Sequence, residues 1–308
     1  MKKFLFIVAI VLCSMFICSC AGNNTAVYYY GDDNSHFGYQ YNIPERYVSP
    51  SSNRKIPDIQ PEDKTFVLGD EEFILTYKES DYYGSRTYIC DQYQTQDGSL
   101  KVYFRRDTGE PETVTYYDGY AIDVSEPITS EDKLLAVAGK IARSYVSERI
   151  SKYTHSVDTT VVQYTDHGMS SIPYDGYSPA SLYPDCDVSY TVRYRYYIGE
   201  YATDDALLVR LTSEGLFVSV SLNMISAYDS FEISEKQGAQ YAAKIDETVA
   251  AMCDVEGYLL KTYEKAPMLI HVDGNLCMRY LITPEIVSTD TNETVSARDL
   301  TLLIPINP

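Results

Sequence analysis

From Val188 to Ile198 the chain alternates without a break. Val188, Tyr190, Val192, Tyr194, Tyr196 and Ile198 fall on one parity; Ser189, Thr191, Arg193, Arg195 and Tyr197 fall on the other. Side chains of a strand point to opposite faces in turn, so this segment reads as a half-buried antiparallel strand with an apolar, aromatic face and a polar, basic one. Gly199 ends it. Leu207-Leu208-Val209-Arg210-Leu211, the turn Ser213-Glu214-Gly215 and Leu216-Phe217-Val218-Ser219-Val220 continue it as an antiparallel meander of about three strands. The chain has 31 tyrosines and no tryptophan. Tyrosine suits a half-buried strand, its ring packed and its hydroxyl in water, and it is also favoured at binding surfaces. Sheet structure accounts for most of it.

On either side of the meander the period changes to that of a helix. Thr129 and Asp132 form a capping box, followed by a stripe of Leu134, Leu135, Ala138, Ile141, Ala142, Tyr145 and Val146 that ends near residues 149–153. Ser234 and Gln237 form a second box before Tyr241, Ala242, Ile245, Val249 and Met252, with Gly238 weakening the first turn. Strands again follow: Tyr258-Leu259-Leu260-Lys261-Thr262, Met268-Leu269-Ile270-His271-Val272, Leu276 to Leu281 and Leu300 to Ile304. Neither helix is long enough to be stable alone, so each needs a sheet face to cover.

This order predicts an α+β fold made of repeated units, each one helix packed on a roughly three- to four-stranded antiparallel sheet. The expected division has a leader at 1–19 and a modified Cys20 with a flexible tether over 20–64. A strand-rich block at 65–125 precedes one helix-plus-sheet unit at 126–230 and another at 231–308. In the strand-rich block, Leu100-Lys101-Val102-Tyr103-Phe104 and Thr113-Val114-Thr115-Tyr116-Tyr117 flank Asp107-Thr108-Gly109-Glu110, a hairpin signal in which Gly109 takes positive φ. Residues 154–187, with Gly168, Pro173, Gly176, Pro179 and Pro184, read as a long loop containing a short strand at Val161-Val162-Gln163-Tyr164.

Two segments, ITSEDKLLAVAGKIARSYV joined later to VSYTVRYRYYIGEYATDDALLVRLTSEGLFVSVSL, and ISEKQGAQYAAKIDETVAAMC with the strands after it, resemble the PepSY-like domains of bacterial secreted proteins and lipoproteins. Gly199 and Glu214-Gly215 stand where that pattern expects its turns. The resemblance implies tandem domains of this kind, and with some family members it shares the prospect of restraining a secreted peptidase.

The first residues place the chain. Lys2 and Lys3 precede an apolar run from Phe4 to Phe16, and Ile17-Cys18-Ser19-Cys20 is similar to the lipobox of bacterial lipoprotein precursors, with Cys20 as the acylated residue. The expected location is therefore the extracytoplasmic face of a bacterial cell membrane, with acylated Cys20 as the link to the lipid bilayer. The formal net charge is −19, and loss of Lys2 and Lys3 with the leader makes it more negative still. Such a surface repels nucleic acid and anionic headgroups, so the lipid must do the anchoring. Four cysteines remain beyond Cys20: Cys90, Cys186, Cys253 and Cys277. In an exported protein they can form two disulfides in three pairings, or stay as buried thiols.

Signatures of catalysis are missing: no nucleophile elbow, no zinc-protease helix, no phosphate-binding loop and no dinucleotide fingerprint. His36, His155, His167 and His271 are scattered, and Asp185-Asp187 and Asp204-Asp205 lack the spacing of a calcium loop. No metal or cofactor is expected. A non-enzymatic binding or regulatory lipoprotein fits best, holding a peptide or envelope protein, with Arg193, Arg195 and Tyr197 as the candidate binding face. A hydrolase acting on glycan or peptide and a structural envelope component are the alternatives.

Overall fold

The computed structural model describes residues 28–30, 56–58, 62–82, 88–121, 126–165, 168–223, 225, 227–252, 257–272, 275–296 and 300–306. The chain divides into two compact units, residues 43–235 with 267–277, and residues 1–42 with 236–266 and 278–308. Strand β1 (Tyr28–Tyr30) belongs to the second of these. The first contains β2 (Lys64–Leu68), β3 (Glu71–Tyr82), β4 (Ile89–Gln94), β5 (Leu100–Arg105) and β6 (Pro111–Tyr120), then helix α1 (Glu131–Val146). After a 3-10 turn at Ser147–Lys152 come β7 (Tyr153–Thr165), β8 (Gly168–Asp175), a short 3-10 turn at Ala180–Leu182, β9 (Cys186–Ile198), β10 (Tyr201–Thr212) and β11 (Phe217–Asn223).

These ten strands form one antiparallel sheet in the order β8-β7-β9-β10-β11-β6-β5-β4-β3-β2. This corrects the expected repeat. The strand-rich block and the meander are halves of a single sheet, joined where β11 pairs with β6 (Val220 opposite Val114), and α1 covers a face that both halves build. Among the described residues of this unit, one helix lies on a ten-stranded sheet, not on the three or four strands of a small repeat. The reason is visible across the strands. Val102, Val114, Val220, Val209, Val192 and Val157 lie opposite one another in one unbroken row over six strands, and five of the six have no exposed surface. β-branched side chains pack well on a pleated face, and a continuous apolar row has no natural break at which to divide the sheet.

Helix α1 starts one residue later than the capping box suggests. Ser130, not Thr129, is the cap, and its hydroxyl accepts the Lys133 N–H at 3.2 Å. Leu134, Ala138, Ile141, Ala142 and Val146 are buried, as the period requires, against β9 and β10 among others. The helix stops at Val146, where Ser147 takes φ of 48° and the chain tightens into the 3-10 turn.

The expected long loop is a second correction. Residues 154–187 are mostly hairpin: β7 pairs with β9 on one side and with β8 on the other. Every residue of β8 is exposed, so it carries little of the apolar alternation that marks a strand. Beyond it, Tyr177 stacks on Tyr190 (5.3 Å), and Tyr183 packs against the core beside Tyr174, extending the apolar cover past the helix. The β5–β6 hairpin forms as the sequence suggests, with Gly109 at φ of 73°.

The smaller unit contains helix α2 (Glu235–Met252) and strands β12 (Tyr258–Val272), β13 (Asn275–Ser288), β14 (Thr294–Ser296) and β15 (Leu300–Pro305), with residues 267–277 counted in the larger unit. Ile245 and Val249 of the helix are fully buried, as are Tyr280, Ile282, Ile286, Leu302 and Ile304 to within a percent. Tyr28–Tyr30, inside the segment read as a tether, pair antiparallel with Leu303–Thr301 as an edge strand.

Candidate functional site: the polar face of the sheet

On the side of the sheet opposite the valine row, the same strands present polar residues in register. Lys101, Thr115, Ser219, Arg210, Thr191 and Asp158 lie opposite one another across six strands. A parallel row runs Tyr103, Thr113, Ser221, Leu208, Arg193 and Ser156, and Arg195 follows between Ala206 and Thr154. Arg193, Arg195 and Tyr197 therefore stand on one face as the alternation of β9 requires. Register brings in Arg210 from β10 and Lys101 from β5, which the reading of a single strand could not find. Their signal was present: Arg210 occupies the outward parity of Leu207-Leu208-Val209-Arg210-Leu211, beside an inward Val209.

The cations are held by hydroxyls and rings more than by carboxylates. Arg210 donates through Nε and Nη2 to Ser189 Oγ (3.3 and 3.0 Å). Arg193 lies 3.5 Å from Asp158, a loose and partly exposed pair. Lys101 sits over the Tyr117 ring, 5.2 Å from its centroid, and its pKa is raised chiefly by hydrogen bonding with the Tyr117 hydroxyl. Arg195 Nε is buried and has no hydrogen-bond acceptor among the described residues. Tyr197 is 40% exposed at the end of the face. Planar guanidinium groups beside hydroxyls suit the capture of carboxylate oxygens through two-pronged hydrogen bonds.

A separate polar cluster lies where β10 bulges between Ala202 and Ala206, leaving Asp204 and Asp205 out of the ladder. Asp205 has no exposed surface. It accepts from Arg149 Nη2 (2.7 Å) and from the Tyr153 hydroxyl (2.6 Å), while Arg149 also binds Asp229 (2.7 Å) and lies over the Tyr153 and Tyr196 rings. Asp204 accepts from the Tyr228 hydroxyl and from the His271 N–H (2.9 Å), and the His271 ring stands edge-on to Tyr228 at 4.8 Å. Burial, then the Asp204 charge, drive the Tyr228 pKa far upward. The adjacent aspartates are thus occupied by protein donors, and His271 serves as a packing and backbone partner. This is a structural knot joining the turn after α1, the β10 bulge and the loop at Tyr228 and Asp229.

The remaining candidates stay apart. Cys90 is buried on β4, Cys186 opens β9 and Cys277 is buried on β13, and no disulfide links these three. Cys20 and Cys253 lie outside the described residues, as do His36 and His167. His155 rests against the Tyr194 ring (6.4 Å), and Asp187 accepts from the Tyr164 hydroxyl (2.7 Å). Among the described residues no group of three or more potential ligands gathers as a metal site, and no helix is long and apolar enough to cross a membrane. No protein-family model, no curated protein and no solved structure matches this chain.

Proposed function

We propose that this chain is a membrane-tethered, extracytoplasmic binding lipoprotein whose polar sheet face holds an acidic segment of a peptide or protein partner. The observation that carries the reading is charge set against context. A chain of net charge −19 gathers Arg193, Arg195, Arg210 and Lys101 on one open, hydroxyl-rich face, and leaves Arg195 Nε without an acceptor. An acidic partner would be repelled by most of the surface and drawn to this one, which favours register and orientation as much as affinity. The lipobox-like Ile17-Cys18-Ser19-Cys20, with the leader at 1–19 before Cys20, supports the tether.

Titration of the full chain with a fluorescent glutamate-rich peptide, read by anisotropy, tests the face. Binding should weaken about tenfold in the Arg193→Ala, Arg210→Ala double variant, from the loss of two charge-assisted contacts on an exposed face. It should also fall with added salt. Binding that ignores both changes would sink the reading. The tether has its own test: Cys20→Ala should abolish acylation by mass spectrometry, and diacylglycerol retained on that variant would contradict it.

A further inference from the structure

The polar face has a direction as well as a charge. On β10, Arg210, Leu208 and Ala206 occupy three successive levels of that face, opposite Thr191, Arg193 and Arg195 of β9. Its arginines therefore advance one level at a time, Arg210 first on β10, then Arg193 and Arg195 on β9. Residues sharing a face of one strand stand about 6.7 Å apart, and diagonal neighbours on adjacent strands about 7–8 Å. The three arginines form a line. Lys101 shares the first level but lies three strands from β10, too far to lengthen that line. Beside the arginines, β10 presents only Leu208 and Ala206 at the second and third levels, and β11 adds the hydroxyls of Ser219 and Ser221 at the first and second.

Each arginine keeps capacity for an acid. Arg210 is held by a neutral acceptor, Ser189 Oγ, which cannot cancel its charge. Arg193 leans on Asp158 across 3.5 Å, with both side chains partly exposed. Arg195 Nε is buried without an acceptor among the described residues. A repeat of about 6.7 Å is that of alternate residues in an extended chain, whereas acids three apart in such a chain fall on opposite faces. A helix with acids four apart repeats at about 6 Å, so spacing separates the two forms only weakly. The neighbouring hydroxyls separate them better. An extended segment brings main-chain N–H and C=O groups that need partners, and a serine hydroxyl both donates and accepts. A helix has already satisfied its own main chain and gains little from Ser219 and Ser221.

We propose that the polar face selects an extended segment with acidic side chains at alternate positions, laid along β10 between the arginines of β9 and the serines of β11. This selectivity rests on the face being the surface for an acidic partner, and adds that partner's conformation and spacing. Three labelled peptides of equal net charge are titrated against the full chain by anisotropy. One carries three glutamates at alternate positions among serines, and the second carries them at every third position among serines. The third is an alanine-based helix with its glutamates four apart. The alternating peptide should bind about tenfold tighter than either of the others, because only it sets successive acids on successive arginines and leaves its main chain free for the hydroxyls. Arg195→Gln should weaken the alternating peptide about fivefold and leave the every-third peptide nearly unchanged. The comparison of peptides on the native chain decides the matter should that variant fail to fold. Equal affinity for the alternating and every-third peptides would overturn the proposal while leaving the acidic-partner reading intact. Tighter binding of the helix, or an alternating-peptide affinity untouched in a folded Arg195→Gln variant, would overturn it in the same way. Binding of none of the three would overturn both.

Discussion

Val209 and Arg210 are neighbours in β10, yet Val209 has no exposed surface on the helix-covered side while Arg210 reaches Ser189 on the other. The same contrast repeats along every central strand, with the valine row on one face and the lysine, arginine and hydroxyl rows on the other. Packing fixes the first face: a one-residue slip would turn it into solvent, so register is held tightly there. The second face inherits that register without being constrained by packing. Its side chains are free to be chosen for what they meet, and that is where a strongly acidic chain has placed basic residues.

The comparison breaks most sharply at β10 itself. Val209→Asp places an unpaired carboxylate on the dry side and should cost more than about 4 kcal/mol, enough to abolish a cooperative melt followed by circular dichroism. Arg210→Asp, one residue along, should shift stability by no more than about 1 kcal/mol. Equal costs for the two would mean that the faces do not differ as described.

The next largest effect contrasts two kinds of arginine. Arg149 is bound to fully buried Asp205 and to Asp229, so Arg149→Ala takes its cation from a buried carboxylate and should cost about 3–5 kcal/mol by urea denaturation. Arg193→Ala, whose partner Asp158 is 3.5 Å away and partly exposed, should cost about 1 kcal/mol or less. A mild Arg149 variant would remove the structural role assigned to the β10 bulge.

How far the sequence could be read follows the same division. The strict alternation of β9 revealed its two faces, and Gly109 marked the β5–β6 hairpin, because both signals are local. The stripe of α1 was legible too, apart from a cap displaced by one residue. The continuous sheet was not, since the pairing of Val114 with Val220 joins segments more than a hundred residues apart and leaves no local trace. The β7–β8 hairpin escaped because β8 buries nothing, so its residues need not alternate. The cluster of Arg149, Asp205 and Asp229 was likewise invisible: its members come from a turn, a bulge and a loop. Of the candidate site, the β9 residues were readable, whereas Arg210 and Lys101 joined them only through register.

Smaller effects sharpen the picture at the surface. Ser130→Ala removes the α1 cap and should destabilise by about 1 kcal/mol, with Ser130→Gly costing less. At the β4–β5 turn, hydrogen bonds from the Thr95 hydroxyl and from the Ser99 N–H and hydroxyl lower the Asp97 pKa from its ordinary 3.8 to about 2. A depressed carboxyl contributes its stabilisation above the unfolded value and loses it as pH falls through the folded one, so the turn should loosen only as pH drops from about 4 toward 2. An NMR titration should find the Asp97 midpoint near 2, and Thr95→Val should raise it.

Reversing the sign of the polar face tests it most directly. In the Arg193→Glu, Arg210→Glu double variant, anisotropy titrations should show loss of the glutamate-rich peptide and gain of a lysine-rich peptide of equal length, with the melting temperature little changed. Retention of the glutamate-rich peptide at the original affinity by a folded variant would contradict the assignment of this face as the binding surface.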